Sequence, residues 1–310
     1  MSKSSNGLSI IIPSYNESQN ITKTIEQFFN TLKDTNIQFE VIIVNDGSSD
    51  NTSNVLSELE SKNYKNEIRF KVITNPMNMG YGFSLKRGIR NSKFGNICIC
   101  DADSTYPIHE TKNLFDIYIQ KDLDMLVTRR TGPYLNSSLL KAIMRKFFVL
   151  ITEFSTGRRV PDVNSGFRFF KKYEAQKYLD ILSAGFSFTT SLTIIFLHKH
   201  LFVEFVPIDY YKRAGKSKVK HIRDAMRALQ IISQCILVSN PIKLYIITAL
   251  IYSSIIFIGL PLLLLSKNIF LIYTFFISIN FIIFSISHLS VQNMLFNKIE
   301  TTQNNLNKEC

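Results

Sequence analysis

The stretch LSIIIPSYNES, residues 8–18, decides the fold class. Residues 8–12 form a continuous apolar run that Pro13 stops, which is typical of a strand buried on both faces. Apolar residues then recur at helical spacing, namely Ile21, Ile25, Phe28, Phe29 and Leu32. The next apolar run, residues 41–44, ends at the turn-rich residues 45–50. The sequence therefore predicts a strand, a helix and a second strand in succession.

The same alternation continues along the first half of the chain. A second helix is indicated by Val55, Leu56 and Leu59, a third strand by residues 70–73 and a third helix by residues 85–89. Residues 97–100 predict a fourth strand that ends at Asp101. Such alternation predicts an α/β fold with a doubly wound, mostly parallel sheet. Polar segments follow three of the strands, at residues 13–17, 45–50 and 101–104, and we expect them to form one site at the carboxyl ends.

Two carboxylates leave the fourth predicted strand together. Asp101 and Asp103 offer hard oxygen ligands that suit Mg²⁺ or Mn²⁺ bridged to a diphosphate. An acidic pair alone is a weak signal, because acidic residues also occur in solvated loops. Asp46, at the end of another strand, could accept from a nucleobase N–H or a ribose hydroxyl, or cap the helix that follows Asp50. Both roles for Asp46 stay open.

Composition separates the classes of partner. The 310 residues carry 36 Lys and Arg against 24 Asp and Glu, a net charge of +12 that predicts an anionic partner. The four cysteines, Cys98, Cys100, Cys235 and Cys310, show neither a zinc-binding spacing nor a disulfide framework. No nucleic-acid-binding motif is present, and half of the net charge lies in one segment, residues 211–227, so we expect no nucleic-acid partner.

Two uncharged runs near the C-terminus are long enough to cross a bilayer. Residues 244–266 span 23 positions without a charge, and residues 268–297 carry only His288 as a titratable group. Since 23 helical residues extend about 34 Å against a hydrocarbon core of about 30 Å, we predict a two-helix transmembrane hairpin. The alternative is a buried hairpin of a soluble core. Residues 211–227 hold seven cations against Asp224, which predicts that the preceding α/β domain and both termini are cytoplasmic.

The predicted organisation follows from these runs. Residues 1–218 form the α/β domain, residues 219–240 a juxtamembrane amphipathic helix, residues 241–297 the hairpin and residues 298–310 a cytoplasmic tail. The juxtamembrane helix either lies at the lipid interface or docks on the domain. Within the basic segment, the cluster of Arg213, Lys216, Ser217 and Lys218 is suited to hold a phosphate, or to act only as a topology signal.

Five motifs resemble those of glycosyltransferase family 2, inverting enzymes with a GT-A fold, a Rossmann-like, mostly parallel α/β domain. The motifs are SIIIPSYNE (9–17), VNDGS (44–48), DAD (101–103), DVNSGFR (162–168) and RAGKSK (213–218). The last two look like the branch that transfers sugar to polyprenyl phosphate, the dolichol-phosphate mannosyltransferase-like enzymes. The resemblance covers about residues 8–218, and a membrane tail follows in that family as well.

The resemblance implies roles for individual residues. It implies that the nucleoside of a UDP- or GDP-linked sugar is held by Pro13, Tyr15, Glu17 and Asp46, and the diphosphate and the metal, Mg²⁺ or Mn²⁺, by Asp101 and Asp103. Arg129 and Arg145 would contact the lipid phosphate, and the loop of Ser165, Gly166, Phe167 and Arg168 would shape the acceptor pocket. Asp162 would act as a base or fix that loop. Two departures are Val149, where a serine is expected, and Thr105, where mannosyltransferases often have glutamine.

The residues favour a phosphate as the acceptor. A phosphomonoester, with a second pKa of about 6, is mostly dianionic at neutral pH and needs cations rather than a base. By the resemblance, residues 185–191 fall where hydroxyl-transferring relatives carry a catalytic carboxylate, and they contain none. The chain also lacks Trp, which excludes the Q-x-x-R-W motif of processive synthases.

The hypothesis is therefore inverting transfer to undecaprenyl or dolichyl phosphate. Membrane lipids are predicted partners, and a homo-oligomer is compatible with the sequence. Two alternatives stay open: transfer to a glycan or protein hydroxyl, and a membrane-tethered, non-catalytic nucleotide-sugar-binding protein.

Overall fold

The protein is described from a computed structural model. The structure describes residues 7–63, 69–133, 139–212, 230, 233, 236, 241–258 and 267–309. The chain divides into two compact units, Met1–Ala228 and Leu229–Cys310.

Seven strands of the first unit form one sheet, in the order β3-β2-β1-β4-β6-β5-β7. They are β1 (Gly7–Ser14), β2 (Gln38–Asn45), β3 (Phe70–Thr74), β4 (Asn96–Ile99), β5 (Met125–Thr131), β6 (Arg168–Lys171) and β7 (Val203–Asp209). Strands β3, β2, β1 and β4 are parallel neighbours, β5 is parallel to β7, and β6 is antiparallel to both of its neighbours. The predicted α/β fold with a mostly parallel sheet is confirmed.

Strand β1 continues past Pro13, where the apolar run had indicated its end. Its pairing with β4 stops at Ile11, whereas its pairing with β2 continues to Ser14. A proline is tolerated there because only one edge of the strand is paired, so a missing N–H need not interrupt the ladder. All eight residues of β1 are buried, as expected for a central strand covered on both faces.

Helices alternate with these strands. The α-helices described in the first unit are α1 (Ile21–Leu32), α2 (Thr52–Glu58), α3 (Tyr81–Arg90), α4 (Thr111–Gln120), α5 (Leu139–Thr156), α6 (Lys172–Gln176) and α7 (Phe188–His198). The five apolar residues predicted for the first helix are all buried on one face of α1. They pack on the sheet together with Ile10, Ile12 and Cys98, so the helical periodicity did identify the core-facing side.

In the part of the second unit that the structure describes, two helices have defined bounds, α8 (Pro241–Ile258) and α9 (Lys267–Glu309). They are in contact, since the rings of Tyr252 and Phe281 lie 5.0 Å apart and the Tyr273 hydroxyl donates to the Ile255 carbonyl at 2.7 Å.

Among the described helices, one stretch is long and apolar enough to cross a membrane, Phe270–Met294 within α9. Its 25 residues extend about 37 Å, whereas the apolar part of α8, Thr248–Phe257, extends only about 15 Å. The sequence had predicted two spans, and the described residues support one. Residues 259–266, the end of the first predicted span, and most of the predicted juxtamembrane helix lie outside the described residues.

Candidate active site

The three polar segments predicted to form a site follow three adjacent strands. Ser14 at the end of β1 pairs with Asn45 at the end of β2, and the N–H of Cys100 after β4 donates to the Ile11 carbonyl. Because these strands are parallel neighbours, the residues that follow them meet at one edge of the sheet. The order β2-β1-β4 therefore brings Asp46, Tyr15 and Asp101 to the same end of the domain.

The two carboxylates after β4 are held by different partners. Asp103 is buried, and its Oδ1 accepts from the Thr105 hydroxyl at 2.6 Å and from the Thr105 N–H at 3.2 Å. Asp101 Oδ1 accepts from the Tyr81 hydroxyl at 2.9 Å. Burial and the neighbouring Asp101 carboxylate raise the pKa of Tyr81 well above its ordinary value, so the phenol keeps its proton and donates. Thr105, the position where the resemblance expects glutamine, thus orients Asp103.

Gly166 lies directly against Asp101. A Cβ built on Gly166 would come within 2.4 Å of Asp101 Oδ2, a distance that real Cβ atoms do not tolerate. The Gly166 N–H donates to the Tyr106 hydroxyl at 2.7 Å, which fixes this approach. The predicted acceptor loop and the predicted metal-binding carboxylate are therefore neighbours, although 65 positions separate them in the sequence.

The donor set fits a magnesium or manganese ion that is bound mainly by its substrate. Among the described residues, no group of three or more His, Cys, Asp or Glu side chains could hold a metal. Asp101 and Asp103 would supply two carboxylate oxygens, and the remaining positions would be left for phosphate oxygens and water. Mg²⁺ in nucleotide-binding sites is commonly held in this way, by one or two carboxylates and the substrate phosphates.

Asp46 organises a loop of the protein. Its Oδ1 accepts from the Asn75 side chain at 2.7 Å and from the Met79 N–H at 2.9 Å, and its Oδ2 accepts from the Gly80 N–H at 2.9 Å. These bonds hold the β3–α3 loop against the end of β2. The alternative role considered for Asp46 was to cap the next helix. Asp50, rather than Asp46, bonds the first residue of α2, since its Oδ1 accepts from the Thr52 N–H at 2.9 Å.

The remaining predicted nucleoside residues follow β1. Pro13 and Glu17 are buried and Tyr15 is half-buried. The Glu17 N–H donates to the Thr52 hydroxyl at 2.9 Å, and the Asn16 side-chain oxygen accepts from the Ser49 N–H at 2.8 Å. The loops after β1 and β2 are thus joined into one surface.

Asp162 forms a buried bidentate ion pair with Arg130. Arg130 Nε donates to Asp162 Oδ2 at 2.8 Å and Nη2 donates to Oδ1 at 2.9 Å. The N–H groups of Arg130 and Asn164 also donate to this carboxylate. Burial raises the pKa of Asp162, but the Arg130 charge and these hydrogen bonds outweigh it, so the pKa lies below its ordinary value. A carboxylate with a lowered pKa and four donors is better suited to fix the loop than to remove a proton.

The structure places the two predicted phosphate-binding arginines differently. Arg145 on α5 is half-buried, and burial together with the nearby Arg130 charge lowers its pKa. Arg129 is exposed, and no hydrogen bond or ion pair joins its side chain to the part of the chain that the structure describes. Arg213, Lys216, Ser217 and Lys218 lie outside the described residues.

Arg168 holds the rest of the predicted acceptor loop from the buried side. This side chain is fully buried and its guanidinium donates to the carbonyls of Val163, Ser165 and Thr189 and to the Thr193 hydroxyl. Burial lowers the pKa of Arg168 to about 10, still well above neutral pH, so the side chain stays charged. Arg168 therefore ties the loop to α7. Phe167 is buried, and the Ser165 hydroxyl lies 2.8 Å from that of Thr128.

Several residues of this cluster were missed by the sequence reasoning. Arg130 pairs with Asp162, the Tyr210 ring lies 5.4 Å from the Arg130 guanidinium carbon, and Tyr106 packs edge-on against Tyr210. Tyr81, at the start of α3, reaches Asp101. The available signal for Arg130 was strand periodicity, because Thr128 and Arg130 share a face of β5 and Arg129 lies on the other.

Comparison with known proteins places the chain among sugar-transferring enzymes. Residues 9–179, more than half of the chain, match the family described as Glycosyl transferase family 2.

Curated relatives share about a quarter of their aligned residues with the chain. A low-salt glycan biosynthesis hexosyltransferase of Haloferax volcanii is 27% identical over 224 residues, covering 71% of this chain and 51% of that protein. The dolichyl-phosphate beta-glucosyltransferase of Saccharomyces cerevisiae is 24% identical over 227 residues, covering 67% and 68%. The undecaprenyl-phosphate 4-deoxy-4-formamido-L-arabinose transferase of Proteus mirabilis is 27% identical over 168 residues, covering 54% and 50%. The chain thus spans about half the length of the first and third relatives.

Solved structures share the fold of the chain. Glucosyl-3-phosphoglycerate synthase from Mycobacterium tuberculosis, in complex with Mn²⁺, uridine diphosphate and phosphoglyceric acid, gives a TM-score of 0.57 at 14% identity. The alignment covers 74% of this chain and 78% of that one. At this identity the likeness establishes the fold alone.

Proposed function

The chain belongs to glycosyltransferase family 2, and from that premise we propose that it transfers a hexose from a UDP- or GDP-linked sugar to a membrane polyprenyl phosphate, with inversion at the anomeric carbon. The observation that carries the proposal is the contact between Asp101, after β4, and Gly166, in the loop of residues 162–168. This contact joins a carboxylate pair suited to a nucleotide diphosphate to a loop beside a cluster of arginines. A donor and an acceptor phosphate would meet there.

The donor half of the proposal rests on the ends of β1, β2 and β4. Asp101 and Asp103 would hold Mg²⁺ or Mn²⁺, which when bound would neutralise the leaving diphosphate. Pro13, Tyr15 and Glu17 line the adjoining loops and are proposed to hold the nucleoside. Asp46 is proposed to support that pocket through the β3–α3 loop, and its remaining acceptor capacity is available to the base or the ribose.

The acceptor half rests on charge. A dianionic phosphate oxygen attacks the anomeric carbon without losing a proton, so its site needs cations and no general base. Arg145 lies close enough to Arg130 for their charges to interact, Arg129 is exposed at the end of β5, and the basic residues 213–218 follow β7 in the sequence. Because Asp162 is occupied by Arg130, its arrangement favours a phosphate acceptor over a hydroxyl that must be deprotonated.

The proposed attachment to the membrane rests on α9 and on the relatives. The printed names of the yeast and Proteus relatives describe transfer to dolichyl and undecaprenyl phosphate, and Phe270–Met294 has the length and composition of a span. We propose that α8 and the residues after it form a first span packed on α9, with the catalytic domain and both termini in the cytoplasm. Thiol labelling of Asn268→Cys from the outside of sealed cells, with Cys235 and Cys310 replaced by serine, tests this topology. Labelling is expected, and protection of the introduced thiol would contradict two spans.

A direct assay tests the transfer itself. Membranes containing the full chain, labelled nucleotide sugar, Mn²⁺ and polyprenyl phosphate should give a product that extracts into organic solvent. Asp103→Asn should reduce this product by at least about 10²-fold if the carboxylate supports the leaving group. Asp34→Asn, which alters an exposed carboxylate after α1, is the matched control and should leave the rate unchanged. Full activity of the Asp103 variant would contradict the metal site, and label only in protein or glycan would contradict the lipid acceptor.

A further inference from the structure

An exposed aromatic ring lies one side chain away from the carboxylates of the site. Phe186, in the segment before α7, has 45% of its surface exposed, whereas the neighbouring Phe188 is fully buried. The Phe186 ring stacks on the Tyr81 ring with centroids 5.7 Å apart and an angle of 19° between the planes. Since Tyr81 covers one face of Phe186, the exposed surface lies elsewhere, on the opposite face or the edge. An exposed phenylalanine beside a polar site is a candidate contact for a ligand.

The stack is held rigidly by close backbone packing. A Cβ on Gly82 would approach the Ser183 carbonyl oxygen to 2.2 Å, and one on Gly80 would approach the Ala184 oxygen to 2.8 Å. The Phe83 N–H also donates to the Ala184 carbonyl at 2.9 Å. Glycines at these positions thus let the segment before α7 lie on the first turn of α3. The ring of Phe186 is positioned before any ligand arrives.

The stack is joined to the proposed metal site through a single hydrogen bond. The Tyr81 hydroxyl donates to Asp101 Oδ1 at 2.9 Å, so Phe186 lies about one tyrosine side chain from that carboxylate. In a nucleotide sugar, the hexose is attached directly to the second phosphate. If Asp101 and Asp103 hold the diphosphate, the hexose lies next to them, and Phe186 is one ring stack and one hydrogen bond away from Asp101.

We propose that Phe186, supported by Tyr81, is the platform on which the hexose of the donor lies. The proposal rests on the proposed function, since it assumes a nucleotide-sugar donor, and it assigns the sugar subsite within it. A pyranose ring has an apolar face of C–H groups that packs on an aromatic face, while its hydroxyls at the edge reach polar partners. The Asp101 carboxylate, which accepts from the Tyr81 hydroxyl, offers such a partner.

The binding experiment compares a nucleotide with its sugar conjugate. Calorimetry on the full chain in detergent with Mn²⁺ gives Kd for UDP and UDP-glucose, and for GDP and GDP-mannose, and the pair that binds is used. For that pair, Phe186→Ala is expected to weaken the sugar conjugate by about five- to tenfold, the scale of one aromatic stacking contact, and the free nucleotide by less than about twofold. Phe186→Leu, which keeps apolar bulk without the ring, should show the same selective loss, and Phe186→Tyr should not.

The control substitution is Phe202→Ala. Phe202 is another exposed phenylalanine, with 71% of its surface accessible, and it lies next to the start of β7, away from the carboxyl ends of the strands. It should leave both affinities unchanged. The inference is overturned if Phe186→Ala and Phe186→Leu leave the sugar conjugate unaffected, or weaken conjugate and nucleotide equally, while the wild-type chain binds both. It is also overturned if the only change is a higher KM for polyprenyl phosphate, which would assign the ring to the lipid. Failure of the wild-type chain to bind any of the four probes would contradict the proposed function as well.

Discussion

Replacing Asp162 with asparagine separates a loop-fixing carboxylate from a catalytic base. The side chains of Arg130 and Asp162 are 14% and 4% exposed, so the substitution leaves the guanidinium charge buried without its counter-charge. Removing one partner of a buried pair costs about 3–5 kcal/mol. Since asparagine still accepts one hydrogen bond, we expect a loss near the lower limit, about 3 kcal/mol, which lowers the Tm of a domain of this size by about 6–12 °C.

The assay is thermal unfolding of the full chain in detergent, followed by far-ultraviolet circular dichroism, with Asp34→Asn as the control that should not move Tm. A double-mutant cycle with Arg130→Met adds a second measurement. The double variant should lose less stability than the two single variants together, because removing both charges leaves none unpaired.

The pH dependence has a defined sign. The folded pKa of Asp162 lies below the ordinary value of 3.8, so this carboxylate contributes stability above that pH and loses it as pH falls through the folded value. The difference in Tm between the wild-type chain and Asp162→Asn should therefore be full near neutral pH and shrink below about pH 4. If Asp162→Asn instead leaves Tm within about 2 °C and lowers kcat by about 10²–10⁴-fold, Asp162 acts as a base and the loop-fixing account is refuted.

Two further substitutions test the surroundings of Asp101. Tyr81→Phe keeps the ring but removes the hydroxyl that donates to Asp101. The affinity for Mn²⁺, measured by electron paramagnetic resonance in the presence of nucleotide, should therefore change by about three- to tenfold. An unchanged affinity would show that this bond does not position Asp101. Gly166→Ala places a Cβ within 2.4 Å of the Asp101 carboxylate and should reduce sugar transfer by at least about tenfold. The matched control is Gly95→Ala, which should retain activity because no heavy atom lies within 4 Å of the new Cβ. Equal activity of the two variants would contradict the close approach of Gly166 to Asp101.

The sheet, and the edge at which the residues of the candidate site meet, could be predicted because both depend on local patterns. Continuous apolar runs identified β1, β2, β3 and β4 to within a few residues. Polar residues directly after such strands necessarily meet at one edge of a parallel sheet. The pairing of Asp101 with Asp103 is also local, since it depends only on a spacing of two residues.

The partners of these residues depend on contacts between distant segments, which the sequence pattern does not contain. Whether Arg129 or Arg130 pairs with Asp162 depends on which face of β5 lies against Asp162. The packing of the loop before β6 decides this. The bond from Tyr81 to Asp101 likewise requires the first turn of α3 to lie beside the end of β4. Asp46 was expected to contact the nucleoside, and only the position of the β3–α3 loop reveals its three bonds within the protein.

The central claim is that the acceptor is a polyprenyl phosphate, and one measurement tests it most directly. Membranes that contain the full chain are incubated with undecaprenyl or dolichyl phosphate and a panel of UDP- and GDP-sugars, and the organic extract is examined by mass spectrometry. We expect a new lipid whose mass equals the polyprenyl phosphate plus one hexose unit, formed from one donor and absent with Asp103→Asn. Consumption of a donor with the sugar recovered only on protein or glycan, and no polyprenyl-phosphate sugar with any donor, would contradict the account.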